Sequence, residues 1–88
     1  MLYRIYIEDY DRPTIVRLVL RYFHAFTILE GVGYFQERQE SSVVIEIDST
    51  GQDYNARARI HSLIKELKSE GNQEEVLLQV MPVSTYLL

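Results

Sequence analysis

The order in which hydrophobic periodicity changes along the chain constrains its fold more than any other feature. Leu2 to Glu8, L-Y-R-I-Y-I-E, puts Tyr3, Ile5 and Ile7 on one side and Arg4, Tyr6 and Glu8 on the other. Val43 to Asp48, V-V-I-E-I-D, alternates in the same way. Period two with β-branched and aromatic residues specifies half-buried strands. From Thr14 to about His24, Ile15, Val16, Leu18, Val19, Leu20, Tyr22 and Phe23 recur at helical spacing, and a second stripe, Ala56, Ile60, Leu63, Ile64 and Leu67, runs through Tyr54 to Ser69.

Breaks in the chain fall where these periods change. Asp11 is positioned to cap the first helix, and Pro13 is tolerated in a first turn because its missing N–H would have been unpaired there. Ser49 to Asp53 forms a second break with capping residues, and Gly71-Asn72 suits a left-handed C-terminal cap. Phe26, Ile28, Val32, Tyr34 and Phe35 read as a strand interrupted by Gly31 and Gly33. Two glycines there predict a bulge, or a place where another group approaches the backbone. Gln36 to Ser42 is polar and is expected at or near the tip of a hairpin between Thr27 and Asp48. Glu75 to Met81 supplies a last strand, closed by Pro82.

Strand, helix, hairpin, helix, strand is the βαββαβ order of the ferredoxin-like sandwich, an α+β fold with an antiparallel sheet and two helices on one face. Residues 1–82 form that single domain, since a chain of 88 residues builds one core. Val83 to Leu88, V-S-T-Y-L-L, is an apolar C-terminal tail expected to dock on its own domain or on a neighbour.

Composition removes whole classes of function. With no cysteine, disulfides and thiolate chemistry are excluded, and a reducing, cytoplasmic location is the expectation. The first ten residues carry Arg4, Glu8 and Asp9 in an alternating pattern unlike a signal peptide or a membrane span. A net charge of −4 opposes broad binding to a nucleic-acid backbone, which needs clustered Lys and Arg. The acidic third strand also lacks the aromatics that stack bases in RNA-binding sheets. His24 and His61 stand in no ligand spacing, so no metal or other cofactor is expected, and His24 is placed at the end of the first helix, where its charge would suit the macrodipole. No nucleophile signature is present, and an enzyme is not the expectation. Arg17 and Arg21, with Arg57, Arg59, Lys65 and Lys68, are candidates for a locally positive helical layer.

Two regions remain for function. If Tyr3, Ile5, Ile7, Val43, Ile45 and Ile47 face the helices, then Arg4, Tyr6, Val44, Glu46, Leu77, Gln79 and Met81 face away. Such a mixed surface suits an oligomer interface or a ligand floor, with Tyr6, Leu77, Met81 and the tail residues Tyr86, Leu87 and Leu88 as interface candidates. Seven tyrosines also exceed what a small core readily hides. The other region is Gly31 to Gln36, where Gly31 and Gly33 permit close approach and Tyr34 and Phe35 offer flat surfaces. Glu37, Arg38 and Glu40 fit a charged hairpin that keeps an edge soluble without chemistry.

The stretch Phe26 to Asp48, with its G-x-G-aromatic segment, an acidic residue and then S-x-V-I-E-I, resembles small uncharacterised bacterial and bacteriophage proteins. The resemblance implies the same βαββαβ domain and a functional neighbourhood of Gly31, Gly33, Tyr34, Glu40, Ser42 and Glu46. Those proteins often carry Trp-Lys-Gly after the tyrosine, where this chain has Phe35-Gln36-Glu37. The reading that results is a non-catalytic binding module, a homo-oligomer holding a small polar or nucleotide-like ligand near Gly31 to Gln36. In a phage such a module would sequester a signal or inhibit a host defence. The alternative is a protein-interaction subunit that uses the open sheet face and the tail without a small ligand.

Overall fold

A computed structural model describes residues 1–49 and 55–88. The elements run β1 (Leu2–Glu8), α1 (Arg12–Leu20), β2 (Thr27–Phe35), β3 (Arg38–Asp48), α2 (Ala56–Ser69) and β4 (Leu77–Met81). The four strands form one sheet in the order β2-β3-β1-β4, with every neighbouring pair antiparallel. This is the ferredoxin-like α+β architecture expected from the periodicity. The expected break over Thr50 to Asp53 and the helix start at Tyr54 lie outside the described residues.

Alternation in β1 and β3 produces the core directly. Tyr3 pairs with Ile47, Ile5 with Ile45 and Ile7 with Val43, and all six are buried. Against them α1 lays Ile15, Leu18 and Val19, spaced i, i+3, i+4, and α2 lays Ala56, Ile60, Leu63 and Leu67. Ile45 has no exposed surface, so truncating it to Ala is expected to cost about 2–5 kcal/mol.

The helix ends follow capping chemistry, with two departures. Asp11 caps α1, accepting from the Thr14 N–H at 3.4 Å and the Thr14 hydroxyl at 2.8 Å. The helix stops at Leu20 and does not reach His24, because the amides of Arg21 and Tyr22 turn to carbonyls three residues back and Phe23 swings into the core. Arg59 does there what His24 was expected to do. It donates to the Tyr22 carbonyl at 3.0 Å and holds its guanidinium 4.8 Å from the Phe23 ring centre. At the end of α2 the left-handed residue is Asn72, with φ 55°. Gly71 is required for space: a Cβ there would lie 2.6 Å from the Leu67 carbonyl oxygen.

The hairpin corrects two expectations. Pairing runs unbroken from Thr27 opposite Glu46 to Phe35 opposite Arg38, so the glycines make no bulge. The turn is Gln36-Glu37 alone, with φ 50° and 65°. These are the left-handed values of a two-residue turn that matches strand twist. Arg38 to Ser42 is strand rather than hairpin tip. The last strand also begins later than expected, at Leu77 rather than Glu75.

Candidate functional site on the open sheet face

Both described helices cover one side of the sheet, and the other side carries no described helix. Its rows follow from the register: Leu2, Arg4, Tyr6 and Glu8 on β1; Glu40, Ser42, Val44, Glu46 and Asp48 on β3; Leu77, Gln79 and Met81 on β4. On β2 the matching positions are Thr27, Leu29, Gly31, Gly33 and Phe35.

Gly31 lies opposite Ser42 and Gly33 opposite Glu40. Neither glycine has the left-handed backbone that would demand it, and a Cβ at either would meet Ser42 only at ordinary contact distance, 3.8 Å and 3.6 Å. What the glycines do is remove side chains. They leave a bare strip of backbone floored toward β3 by Ser42 and walled by Leu29 on one side and Phe35 on the other. Leu29 and Phe35 are both substantially exposed.

Beyond Leu29 and its partner Val44, toward the start of β2, lies a hollow of ≈ 350 Å³ lined by Leu2, Ala25, Phe26, Thr27, Glu46 and Asp48. That is near the lower end of small-ligand sites, about 300–1,000 Å³. Ser42 and Glu46 are four residues apart on one strand, so the strip and the hollow lie about 13 Å apart along β3. At the hollow's edge the Arg4 guanidinium donates to the Glu46 carboxylate at 2.6 Å, and this bond holds Arg4 more firmly protonated than usual. Tyr6 donates to Gln79 at 3.0 Å beyond them. Arg4 and Arg38 face Glu8, Glu40, Glu46 and Asp48 on this side, so the surface is acidic. Arg38 and Glu40 approach only to 3.9 Å.

The structure thus brings Gly31, Gly33, Phe35, Glu40, Ser42 and Glu46 onto one face. Tyr34 is separated from them. It pairs with Gln39 on the helix side of the sheet and points to solvent there, since an unbroken strand sends neighbouring side chains to opposite faces. Of the interface candidates, Tyr6, Leu77 and Met81 share the open face on its β4 half. Tyr86, Leu87 and Leu88 are exposed in a tail without regular structure, tied back where the Thr85 hydroxyl donates to the Asp48 carboxylate. Ala25, Phe26, Thr27 and Leu2 were not singled out from the sequence, although Phe26 and Thr27 lead directly into the glycine strand.

Part of the basic helical layer, its α1 arginines, is neutralised within the chain. Arg21 reaches Glu66 at 3.1 Å and Glu70 at 3.2 Å, and Arg17 lies 3.8 Å from Glu70. Among the described residues no group of three or more His, Cys, Asp or Glu is arranged to hold a metal ion, and no helix is long and apolar enough to cross a membrane.

No protein-family model and no curated protein matches the chain. Solved structures do. A phage SAM lyase in its apo state superposes with a TM-score of 0.61 at 22% identity, over 88% of this chain and 75% of that one. A phage SAM lyase in complex with S-methyl-5′-thioadenosine gives 0.59 at 22% identity, over 88% and 76%. A DUF3240 family protein from Shewanella baltica gives 0.63 at 15% identity, over 99% and 93%. At these identities the likeness shows a shared fold.

Proposed function

We propose that the chain is a binding module for a small nucleoside of the 5′-thioadenosine class, held on the open sheet face between the hollow at Glu46 and the glycine strip. The observation that carries this reading is the side-chain-free backbone of Gly31 and Gly33 beside Ser42, on the same sheet face as the hollow at Glu46. A flat base can lie against exposed peptide groups and the Phe35 ring, while Ser42 and the backbone supply hydrogen bonds. The acidic surface favours a ligand arm of positive charge, as the sulfonium of S-adenosylmethionine has. The complex of a similarly folded phage SAM lyase with S-methyl-5′-thioadenosine supports the ligand class.

In a phage, a module of this kind would withdraw a nucleoside signal or methyl donor from the host, and so blunt a defence that depends on it. Cleavage of the bound sulfonium compound is the second reading, favoured by Glu40 lying on the same strip with only distant pairing to Arg38. The alternative of an interaction subunit would leave the strip without a small ligand.

Isothermal titration with S-methyl-5′-thioadenosine, S-adenosylmethionine, adenosine and AMP tests the proposal. Saturable binding of the first two, weaker for AMP because its phosphate meets an acidic surface, is the expected result. Absence of binding by all four overturns it. Chromatographic detection of methylthioadenosine released from S-adenosylmethionine separates turnover from sequestration.

A further inference from the structure

We infer that the outer edge of β2 is a self-association surface, pairing antiparallel with β2 of a second copy about a two-fold axis at Val32. Among the described strands β2 pairs only with β3, so one row of its backbone N–H and C=O groups has no strand beside it. Exposed edges are ordinarily blunted by shortness, proline, bulges or charge. The other edge strand, β4, has five residues and stops at Pro82. β2 has nine, in unbroken register, with no proline and a single charge, Glu30. That charge is bridged within the chain to Arg12 at 3.1 Å.

The pattern of β2 selects the register. Antiparallel partners share a sheet face, so only registers pairing residues of the same parity are allowed. The one centred on Glu30 sets two carboxylates opposite each other, and the one centred on Gly31 sets Leu29 against the partner's Gly33, which offers no side chain to pack; both are disfavoured. Centring on Val32 sets Val32 against the partner's Val32, Glu30 against the partner's Tyr34, and Leu29 against the partner's Phe35. Leu29, Val32, Tyr34 and Phe35 are the large apolar residues that β2 otherwise leaves to solvent. In this register each gains an apolar or hydrogen-bonding neighbour, and no like charges meet. Gly31 then faces the partner's Gly33, so the two bare strips lie side by side. The pairing does not require a ligand, and it stands if nucleoside binding fails.

Sedimentation of the full chain should give twice the 10.4 kDa chain mass. Val32→Lys, which sets two ammonium groups face to face, should halve that mass. Leu77→Lys, on the opposite edge, should leave it unchanged. The chain has no cysteine, so Val32→Cys under mild oxidation, or with a short bis-maleimide, should give a covalent dimer whether or not the Lys variant folds. A monomeric or trimeric wild type, a dimer that persists in folded Val32→Lys, dissociation by Leu77→Lys, or no cross-linking of Val32→Cys would each overturn the inference.

Discussion

The side chain of Gln73 substitutes for a strand beside Glu8. Its Oε1 accepts from the Glu8 N–H at 2.9 Å and its Nε2 donates to the Glu8 carbonyl at 2.7 Å, which are the two bonds a paired backbone residue would make. β4 begins at Leu77, opposite Tyr6, so the end of β1 would otherwise lack a partner on that side. Gln73 is 4% exposed and is the one buried polar residue among those described. Replacing it with Ala leaves both Glu8 backbone groups short of a partner, and the expected loss is about 1–3 kcal/mol in urea unfolding. Gln73→Glu retains an acceptor, cannot donate to the carbonyl once ionised, and buries a charge near Glu8. It should be at least as damaging at neutral pH and should recover on acidification. A neutral effect of both variants would show that water supplies these bonds equally well.

The hairpin turn stores backbone cost in two residues that are poor at meeting it. Gln36 and Glu37 both adopt positive φ, where residues bearing a Cβ are crowded. Asn-Gly is the preferred pair for this geometry. The double substitution Gln36→Asn, Glu37→Gly should therefore raise stability by about 1–2 kcal/mol, near the cost of one left-handed non-glycine residue. Thermal unfolding measures it, and an unchanged or lowered midpoint would mean that this turn is not strained.

These two features mark where the sequence stops being legible. The alternation in Leu2 to Glu8 and Val43 to Asp48 gave strand faces, core and pairing partners, because burial on one side of a sheet leaves little freedom in register. The turn carried no Asn-Gly signal, so the polar run Gln36 to Ser42 read as a broad tip although most of it is strand. Treating the glycines as a bulge also hid the plain consequence of period two, that Tyr34 and Phe35 face opposite ways. Gly31, Gly33, Ser42 and Glu46 were grouped by the resemblance, and the unbroken register then places them on one face because they share one parity across the hairpin. Gln73 could not be found, since a side chain standing in for a strand leaves no periodic trace.

Stability at alkaline pH should depend on Tyr22. The neighbouring Glu66 carboxylate, with partial burial, raises the Tyr22 phenol above its ordinary value of 10.0. The folded state therefore keeps the proton longer than the unfolded chain does. That stabilisation is complete below pH 10 and is lost as pH rises through the folded value. Urea unfolding followed from pH 9 upward should show a decline that Tyr22→Phe makes shallower. Tyr10, raised in the same direction by Glu8, should leave a residual slope in that variant. A slope unaltered by Tyr22→Phe would assign the decline to other groups.

The glycine strip allows a separation of function from fold that most sites do not. Neither Gly31 nor Gly33 needs a left-handed backbone, and the nearest atoms to an added Cβ belong to Ser42 at 3.6–3.8 Å. Side chains can thus be added without displacing the sheet. Glycine within a strand costs about 0.5–1 kcal/mol relative to Ala, and β-branched residues suit strands better still. Gly31→Val and Gly33→Val, singly and together, should consequently fold with unfolding midpoints equal to or above wild type. The same valines would stand on the open face where a base is proposed to rest, so titration with S-methyl-5′-thioadenosine should lose most of its heat in either single variant and all of it in the double. Binding that survives both valines would move the ligand off the strip, toward the hollow at Leu2, Phe26 and Glu46. Loss of the fold would instead make the glycines a packing requirement and remove the reason for reading the strip as a binding surface.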